Sequence, residues 1–360
     1  MSGLGWLVPL LCCPRCRAGL VLTPSGSDPE QGILGHAEVG CDERYPVIDG
    51  IPRLLLGDAR SAVVRRRAEW FASDASREAL GRSWSGAGGI GDVVSDFDYE
   101  WSRYSAGRTP DLDRVFDMYF DLMTPQHFAD RLTVLDGGCG AGRWALAVAG
   151  RGPRVIAVDL GFSVEIAKRN AGPSERLAFV QADLAALPLR EGAVDWAYSL
   201  GVLHHIVDPA RALARIAAAV RPSGDLLLYL YYALDGRPPL YRALFAAVDR
   251  VRRVTSVLPR PLAHAFALLV AALVYWPLAR LSRLLTSVGF SSAARALPLS
   301  FYRDLPFAIM RNDSLDRLGT RLEQRFTRPA MRRLMEHAGL VGIRFSAGTP
   351  YWHALGTRAS

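Results

Sequence analysis

Three carboxylates and a glycine-rich turn carry the chemistry most readily read from this 360-residue chain. The apolar pair Val134-Leu135 ends on Asp136, and Gly138, Gly140 and Gly142 follow at alternate positions. Glycines so spaced let a backbone turn tightly and approach a ligand with no Cβ in the way, as a nucleotide-binding turn requires. A second apolar run closes on Asp159-Leu160, where a carboxylate suits a ribose diol because it accepts both hydroxyl hydrogens. A third closes on Asp183-Leu184, where the carboxylate can accept from an adenine amino group and the leucine can pack on the ring. A fourth reaches Leu200 and leads into His204 and His205, imidazoles of unperturbed pKa about 6.5 that suit general-base work. Adjacent side chains diverge, so the two do not both face one reacting atom. The glycines alone are ambiguous: Gly140, Gly142 and Ala145 also satisfy the looser dinucleotide fingerprint, with Asp159 at the ribose-binding distance of ~20 residues.

Those residues must be held by strands that end on one sheet edge. Val134 to Asp136, Arg154 to Asp159, Leu177 to Gln181, Val194 to Leu200 and Asp225 to Tyr231 read as five strands. Helices are expected from Phe162 to Asn170 and from a cap at Asp208 through Val220, and Arg221-Pro222-Ser223-Gly224 is a stop-and-turn signal. Strands alternating with helices predict an α/β fold, a parallel sheet covered on both faces.

In this order the residues from Thr133 to Tyr231 resemble the catalytic domain of class I S-adenosylmethionine-dependent methyltransferases, in the branch containing quinone-biosynthesis and other small-molecule enzymes. The family's acid-x-Gly-x-Gly-x-Gly motif is filled by Asp136, Gly138, Gly140 and Gly142, its later acids by Asp159 and Asp183, and its Leu-His-His element by Leu203-His204-His205. The resemblance implies a Rossmann-like sheet of order 3-2-1-4-5-7-6, with S-adenosylmethionine as cofactor. It assigns the methionine end to Asp136 and the glycines, the ribose to Asp159, the adenine to Asp183-Leu184, and further cofactor contacts to Leu160 and Leu200. Thr327 is expected to cap a helix through His337, with Gly339 beyond its end, and Val341 to Phe345 and Tyr351 to Gly356 to close the sheet as an antiparallel pair.

Four of the five cysteines fall in the first 41 residues: Cys12, Cys13, Cys16 and Cys41. The two-residue gap of Cys13-Pro14-Arg15-Cys16 places two thiolates on one turn, at a distance suited to a tetrahedral metal. With the run from Arg44 to Leu55, this segment resembles the small zinc-ribbon family that activates tRNA and protein methyltransferases. The fourth ligand of a structural zinc is left between Cys12 and His36, with a metal-free, degenerate site as the alternative. Nothing indicates export: the first eleven residues have no basic start and too short an apolar run for a signal peptide, so the expected location is the cytoplasm. The expected domains are a ribbon at 1–57, a helical segment and linker at 58–95, and a methyltransferase domain at 96–360. After the linker and ahead of the first strand, Phe97 to Tyr104 is an aromatic segment able either to fold over the cofactor or to pack on the sheet.

Between Tyr232 and Arg325 lies a helical insertion after the fifth strand, where such enzymes carry substrate elements. It begins with an Arg-rich amphipathic helix, Leu240 to Val254, followed by an apolar stretch, Ala265 to Ala279, interrupted by Pro277. That stretch is short for a bilayer span of about 20 residues and is expected to be buried in a helical cap. Its flanking Arg242, Arg250, Arg252, Arg253, Arg260, Arg280 and Arg283 support a second reading, contact with the inner face of a membrane and a lipid-like acceptor. The net charge is +8, yet Lys168 is the single lysine and the arginines are scattered, so a nucleic-acid partner is not expected. Methylation of a small-molecule or amphipathic acceptor at oxygen or carbon is the expected activity. Methylation of RNA or protein, with the ribbon as interaction module, is the alternative.

Overall fold

The computed structural model describes residues 4–36, 40–72, 80, 84, 112–233, 239–319, 322–347 and 352–360. The aromatic segment from Phe97 to Tyr104 lies outside them. The N-terminal strands are β1 Leu20–Pro24, β2 Gly32–His36, β3 Tyr45–Ile48 and β4 Ile51–Leu54. The parallel strands are β5 Thr133–Gly137, β6 Arg154–Asp159, β7 Leu177–Ala182, β8 Trp196–Leu200 and β9 Asp225–Tyr229, and the chain closes with β10 Leu340–Phe345 and β11 His353–Arg358. The principal helices are α1 Ala59–Arg66, α2 Leu112–Tyr119, α3 Arg143–Ala149, α4 Ser163–Ala171, α5 Pro209–Ala219, α6 Pro239–Thr255, α7 Pro261–Ser287, α8 Phe307–Gly319 and α9 Arg328–His337.

One sheet of 11 strands runs β1-β2-β3-β4-β7-β6-β5-β8-β9-β11-β10. From β7 onward this is the expected 3-2-1-4-5-7-6 order, parallel through β9 and antiparallel at β11 and β10. The central strands are buried on both faces, which is why they read as nearly continuous Val, Ile, Leu and Ala. The caps stand where the sequence puts them. Asp208 Oδ1 accepts from the Arg211 N–H at 2.9 Å, and Thr327 Oγ1 from that of Ala330 at 3.2 Å. The last strand runs from His353 to Arg358, beyond the expected end at Gly356, and Tyr351 lies outside the described residues. It pairs along the length of β9, from His353 opposite Tyr229 to Thr357 opposite Asp225, and that ladder sets its extent.

The N-terminal ribbon continues the same sheet instead of standing apart. β4 pairs in parallel with β7, Arg53 opposite Gln181 and Leu54 opposite Ala182. The boundary drawn at residue 57 therefore falls inside one compact unit, residues 1–233 with 324–360. Trp84, read as part of a flexible linker, is buried, donates to the Arg44 carbonyl at 2.8 Å and stacks on Phe71.

The second unit is helical and spans residues 234–323. Its helices are joined by side-chain to backbone bonds: Thr255 Oγ1 to the Leu318 carbonyl at 2.6 Å, Ser314 Oγ to that of Ala267 at 2.8 Å, and Ser282 Oγ to that of Ala294 at 3.0 Å. α7 passes through Pro277 because a π turn at Ala271–Tyr275 absorbs the interruption. Burial of its apolar stretch is not what the structure gives: only 28% of its most apolar 18-residue window is buried.

Candidate functional site

β5, β6 and β7 are adjacent and parallel, so their carboxyl ends deliver Asp136, Asp159 and Asp183 to neighbouring positions on one sheet edge. Asp136, the fourth residue of β5, is almost wholly buried. Its Oδ2 closes no aligned hydrogen bond, although the Tyr198 phenol stands beside the carboxyl. Burial pushes its pKa up to about 8, with the charge of Asp159 adding to the effect. The charges of Asp159 and Asp136 both also bear on the Cys139 thiol between them, which burial already holds far above its ordinary range.

Asp159 braces the glycine turn. Its Oδ2 accepts from the Gly140 N–H at 2.8 Å and its Oδ1 from that of Gly161 at 2.9 Å. The Ser163 hydroxyl and the Leu160 N–H also bear on this carboxylate, so four donors of the chain face it. Burial nonetheless raises its pKa against those donors. Asp183 caps the short turn Leu184–Ala186 through the Ala185 N–H at 2.8 Å, and Leu184 is buried beneath it.

The turn needs glycine for measurable reasons. Gly138 has φ +90, and a Cβ there would meet Val202 Cγ2 at 2.4 Å, so the turn lies against the loop that follows β8. Gly142 has φ +85, and a Cβ would meet Ala167 Cβ of α4 at 2.9 Å. Leu160 and Leu200, both half-buried, stand at the ends of β6 and β8.

The two histidines differ. His204 is fully buried, stacks on Tyr231 with centroids 3.8 Å apart, and neither ring nitrogen has a hydrogen-bond partner. Burial, with His205 and Arg325 nearby, drives its pKa well below the ordinary value and keeps it neutral. That is the environment of a packed ring rather than of a base working near neutral pH. His205 retains slight exposure beside it, their centroids 4.1 Å apart.

Three residues near this edge were not singled out from sequence. His353 is fully buried with both ring nitrogens unsatisfied, lies 4.9 Å from Tyr119 and from Tyr229, and burial lowers its pKa to about 4. Arg53 is also fully buried. It donates to Gln181 Oε1 and to Glu165 Oε1, each at 2.8 Å, and burial lowers its pKa to about 10. Gln181 in turn donates to the Leu160 carbonyl at 3.0 Å, so an arginine of the ribbon reaches, through one amide, the loop carrying Asp159 and Leu160. For Arg53 and Gln181, a polar residue inside an otherwise apolar strand was the available signal.

At the ribbon's other end Cys13, Cys16, His36 and Cys41 gather, with all ligand atoms within 4.8 Å of one another. Cys16 Sγ lies 3.2 Å from His36 Nε2, and the backbone N–H groups of Arg15 and Cys16 point at Cys13 Sγ. Cys12 does not join them. Its backbone bridges to Gly19 and bonds to the Pro188 carbonyl at 2.9 Å, and its side chain is buried in the core, so of the two candidates for the fourth position His36 is the one beside the three other cysteines.

A family model described as a methyltransferase domain matches residues 135–228. A probable S-adenosylmethionine-dependent methyltransferase of Mycobacterium tuberculosis is 36% identical over 124 residues, 33% of this chain and 44% of that protein. A methyltransferase of Mycobacterium bovis is 32% identical over 116 residues, 32% of this chain and 57% of that one. The chain thus spans about half the length of these relatives. Among solved structures, an S-adenosylmethionine-dependent methyltransferase from Mesorhizobium loti aligns with TM-score 0.32 and 26% identity over 35% of this chain and 58% of its own. A complex between the Haloferax volcanii Trm112 methyltransferase activator and a methyltransferase aligns with TM-score 0.38 and 16% identity over 74% of this chain and 98% of that one. Residues 135–228 are thus similar to a methyltransferase domain, and the strands that hold them form a Rossmann-like sheet.

Proposed function

We propose that this chain transfers a methyl group from S-adenosylmethionine to a small-molecule or amphipathic acceptor. The observation that carries the reading is the orphaned, buried Oδ2 of Asp136 at the tip of β5, beside a glycine turn braced by Asp159. The residues fit the cofactor's groups. The buried Asp136 carboxyl with its unpaired Oδ2 suits an ammonium, the Asp159 carboxylate at the tip of β6 suits a ribose diol, and Asp183 with Leu184 suits an adenine edge and ring. Leu160 and Leu200 supply apolar walls. S-adenosylmethionine, when bound, supplies an electrophilic methyl on its sulfonium.

The chain's own work is then alignment and exclusion of water. Holding an acceptor's lone pair behind that methyl at near-attack distance is worth several kcal/mol, on the order of the ~7–11 kcal/mol that orientation can contribute. A hydroxyl or carbon acceptor also needs a proton removed, and for that His205 is the better placed histidine. His204 serves as packing.

The zinc proposed for the ribbon is held by Cys13, Cys16, His36 and Cys41, a three-thiolate, one-imidazole set of the structural type. Its role is to fix the loop ahead of β3, since Cys13 Sγ also meets the Tyr45 hydroxyl at 3.1 Å.

The small-molecule reading is preferred to RNA or protein methylation because the ribbon is engaged by its own domain. Glu30 pairs with Lys168 at 2.9 Å, and Arg53 with Glu165. Incubation of the purified chain with methyl-labelled S-adenosylmethionine and a cell extract tests this. Label is expected in the small-molecule or organic-solvent fraction, and label confined to RNA or protein would reverse the preference.

A further inference from the structure

The helix α7 is built inside out for water. From Pro261 to Ala279 it contains no Asp, Glu, Lys or Arg. Nineteen such residues at 1.5 Å each make a row of about 28 Å. Its buried positions are Ala267, Ala271, Tyr275, Ala279 and Ser282, mostly small and spaced by three or four. Large apolar side chains point outward instead: Leu262 is 57% exposed, Leu269 53%, Leu273 66%, Trp276 46% and Leu284 58%. A helix on an aqueous surface puts its large apolar residues inward and polar residues out. Small residues at the helix contact with bulky ones outside is the arrangement of helices that meet lipid. Among the described residues, every exposed large apolar side chain except Val21, Val207 and Val341 falls between Val248 and Phe290.

We infer that this face seats the chain on an anionic lipid surface, with α7 lying in the headgroup and acyl boundary. Charge selects the occupant. Between residues 239 and 290 the chain carries seven arginines against one acidic residue, Asp249. Arg242, Arg250, Arg253 and Arg283 are exposed there. A second copy would bring this cationic stretch against itself, whereas anionic headgroups complement it. The charges also set the depth. α8, bonded to α7 through Ser314, carries Asp313 and an exposed Arg311, so the unit lies on the surface and does not cross it. Trp276, half-exposed on the outward face, is the residue type that anchors at the membrane–water boundary.

Co-sedimentation of the full chain with vesicles tests this, comparing phosphatidylcholine alone with an equimolar mixture of phosphatidylcholine and phosphatidylglycerol. The chain is expected to pellet with the anionic vesicles and to be released by salt. Leu269→Glu and Leu273→Glu are each expected to weaken partitioning about tenfold or more, given what one buried leucine contributes. Val341→Glu, outside the face, is expected to leave it unchanged. Brominated lipid should quench tryptophan emission, and Trp276→Phe should remove part of that quenching in a chain with an intact face. A wild-type chain that stays in the supernatant overturns the proposal, as do glutamate variants that pellet like wild type. So does a wild-type dimer that the glutamates dissociate without affecting vesicle binding, since the face would then join two copies. S-adenosylmethionine titrated into the same variants separates this outcome from failure of the methyl-transfer reading, because no residue of α7 is assigned to the cofactor.

Discussion

Asp136 sets a conflict between stability and binding at a single residue. Its pKa of about 8 in the folded chain exceeds the unfolded value of about 3.9, so the folded chain binds the extra proton between those limits. The contribution to stability is therefore full below about pH 4 and is lost as the pH rises toward 8. Asp136→Asn should flatten that profile and stabilise the ligand-free protein at pH 8 by on the order of 2 kcal/mol, measured by denaturant unfolding across pH. The same variant should bind S-adenosylmethionine at least about tenfold more weakly, because the charged acceptor for the ammonium is gone. A variant no more stable at pH 8 than wild type would show that the buried carboxyl is not strained. His204 makes the complementary case: with its basicity suppressed by burial, His204→Phe should keep a large share of turnover, whereas His205→Phe should lower it for a hydroxyl acceptor. A greater loss at His204 would reverse the assignment.

Among the elements, β4 joins the ribbon to the sheet through Arg53, and removing one partner of a buried pair leaves the others uncompensated. Arg53→Met should cost about 3 kcal/mol, seen as a lowered thermal midpoint. It should also weaken S-adenosylmethionine binding several-fold, because Gln181 then loses the contact that orients it toward the Leu160 carbonyl. An unchanged affinity would confine Arg53 to stability. At the ribbon's tip, the isolated chain should hold one equivalent of zinc by metal analysis, and chelation should lower the midpoint, whereas a metal-free chain of equal stability would contradict the site. What was legible here followed local signals. Strand ends marked by Asp136 and Asp159, caps at Asp208 and Thr327, and the knuckle at Cys13 and Cys16 are written in neighbouring residues. His36 was not chosen over Cys12 because the choice depends on β2 running back beside β1, Leu20 opposite His36, which spacing does not encode. Arg53 and Gln181 escaped for the same reason: they are 128 residues apart, and their pairing follows from a parallel register that only the folded sheet defines.

For the whole molecule, continuity of the sheet predicts that ribbon and methyltransferase strands open together. Native-state hydrogen exchange should give the amides of β4 and β7 similar opening free energies, and early exchange confined to β4 would mean that the ribbon opens by itself. The parallel core was readable because strands buried on both faces must be apolar throughout. The joining of ribbon to core was not, because residues 58–95 read as a helical segment and linker separating two modules. At α7 the structure departs from the expected burial because composition alone does not say which face of an apolar helix is covered. The central claim is that the carboxylates at the tips of β5, β6 and β7 hold one adenosyl ligand. Calorimetric titration of S-adenosylmethionine into the full chain and into Asp159→Ala tests it most directly. One site per chain is expected, with affinity at least about tenfold lower in the variant and little heat from a nicotinamide dinucleotide. A folded wild-type chain that binds no S-adenosylmethionine, or a variant that binds it equally well, would contradict the assignment.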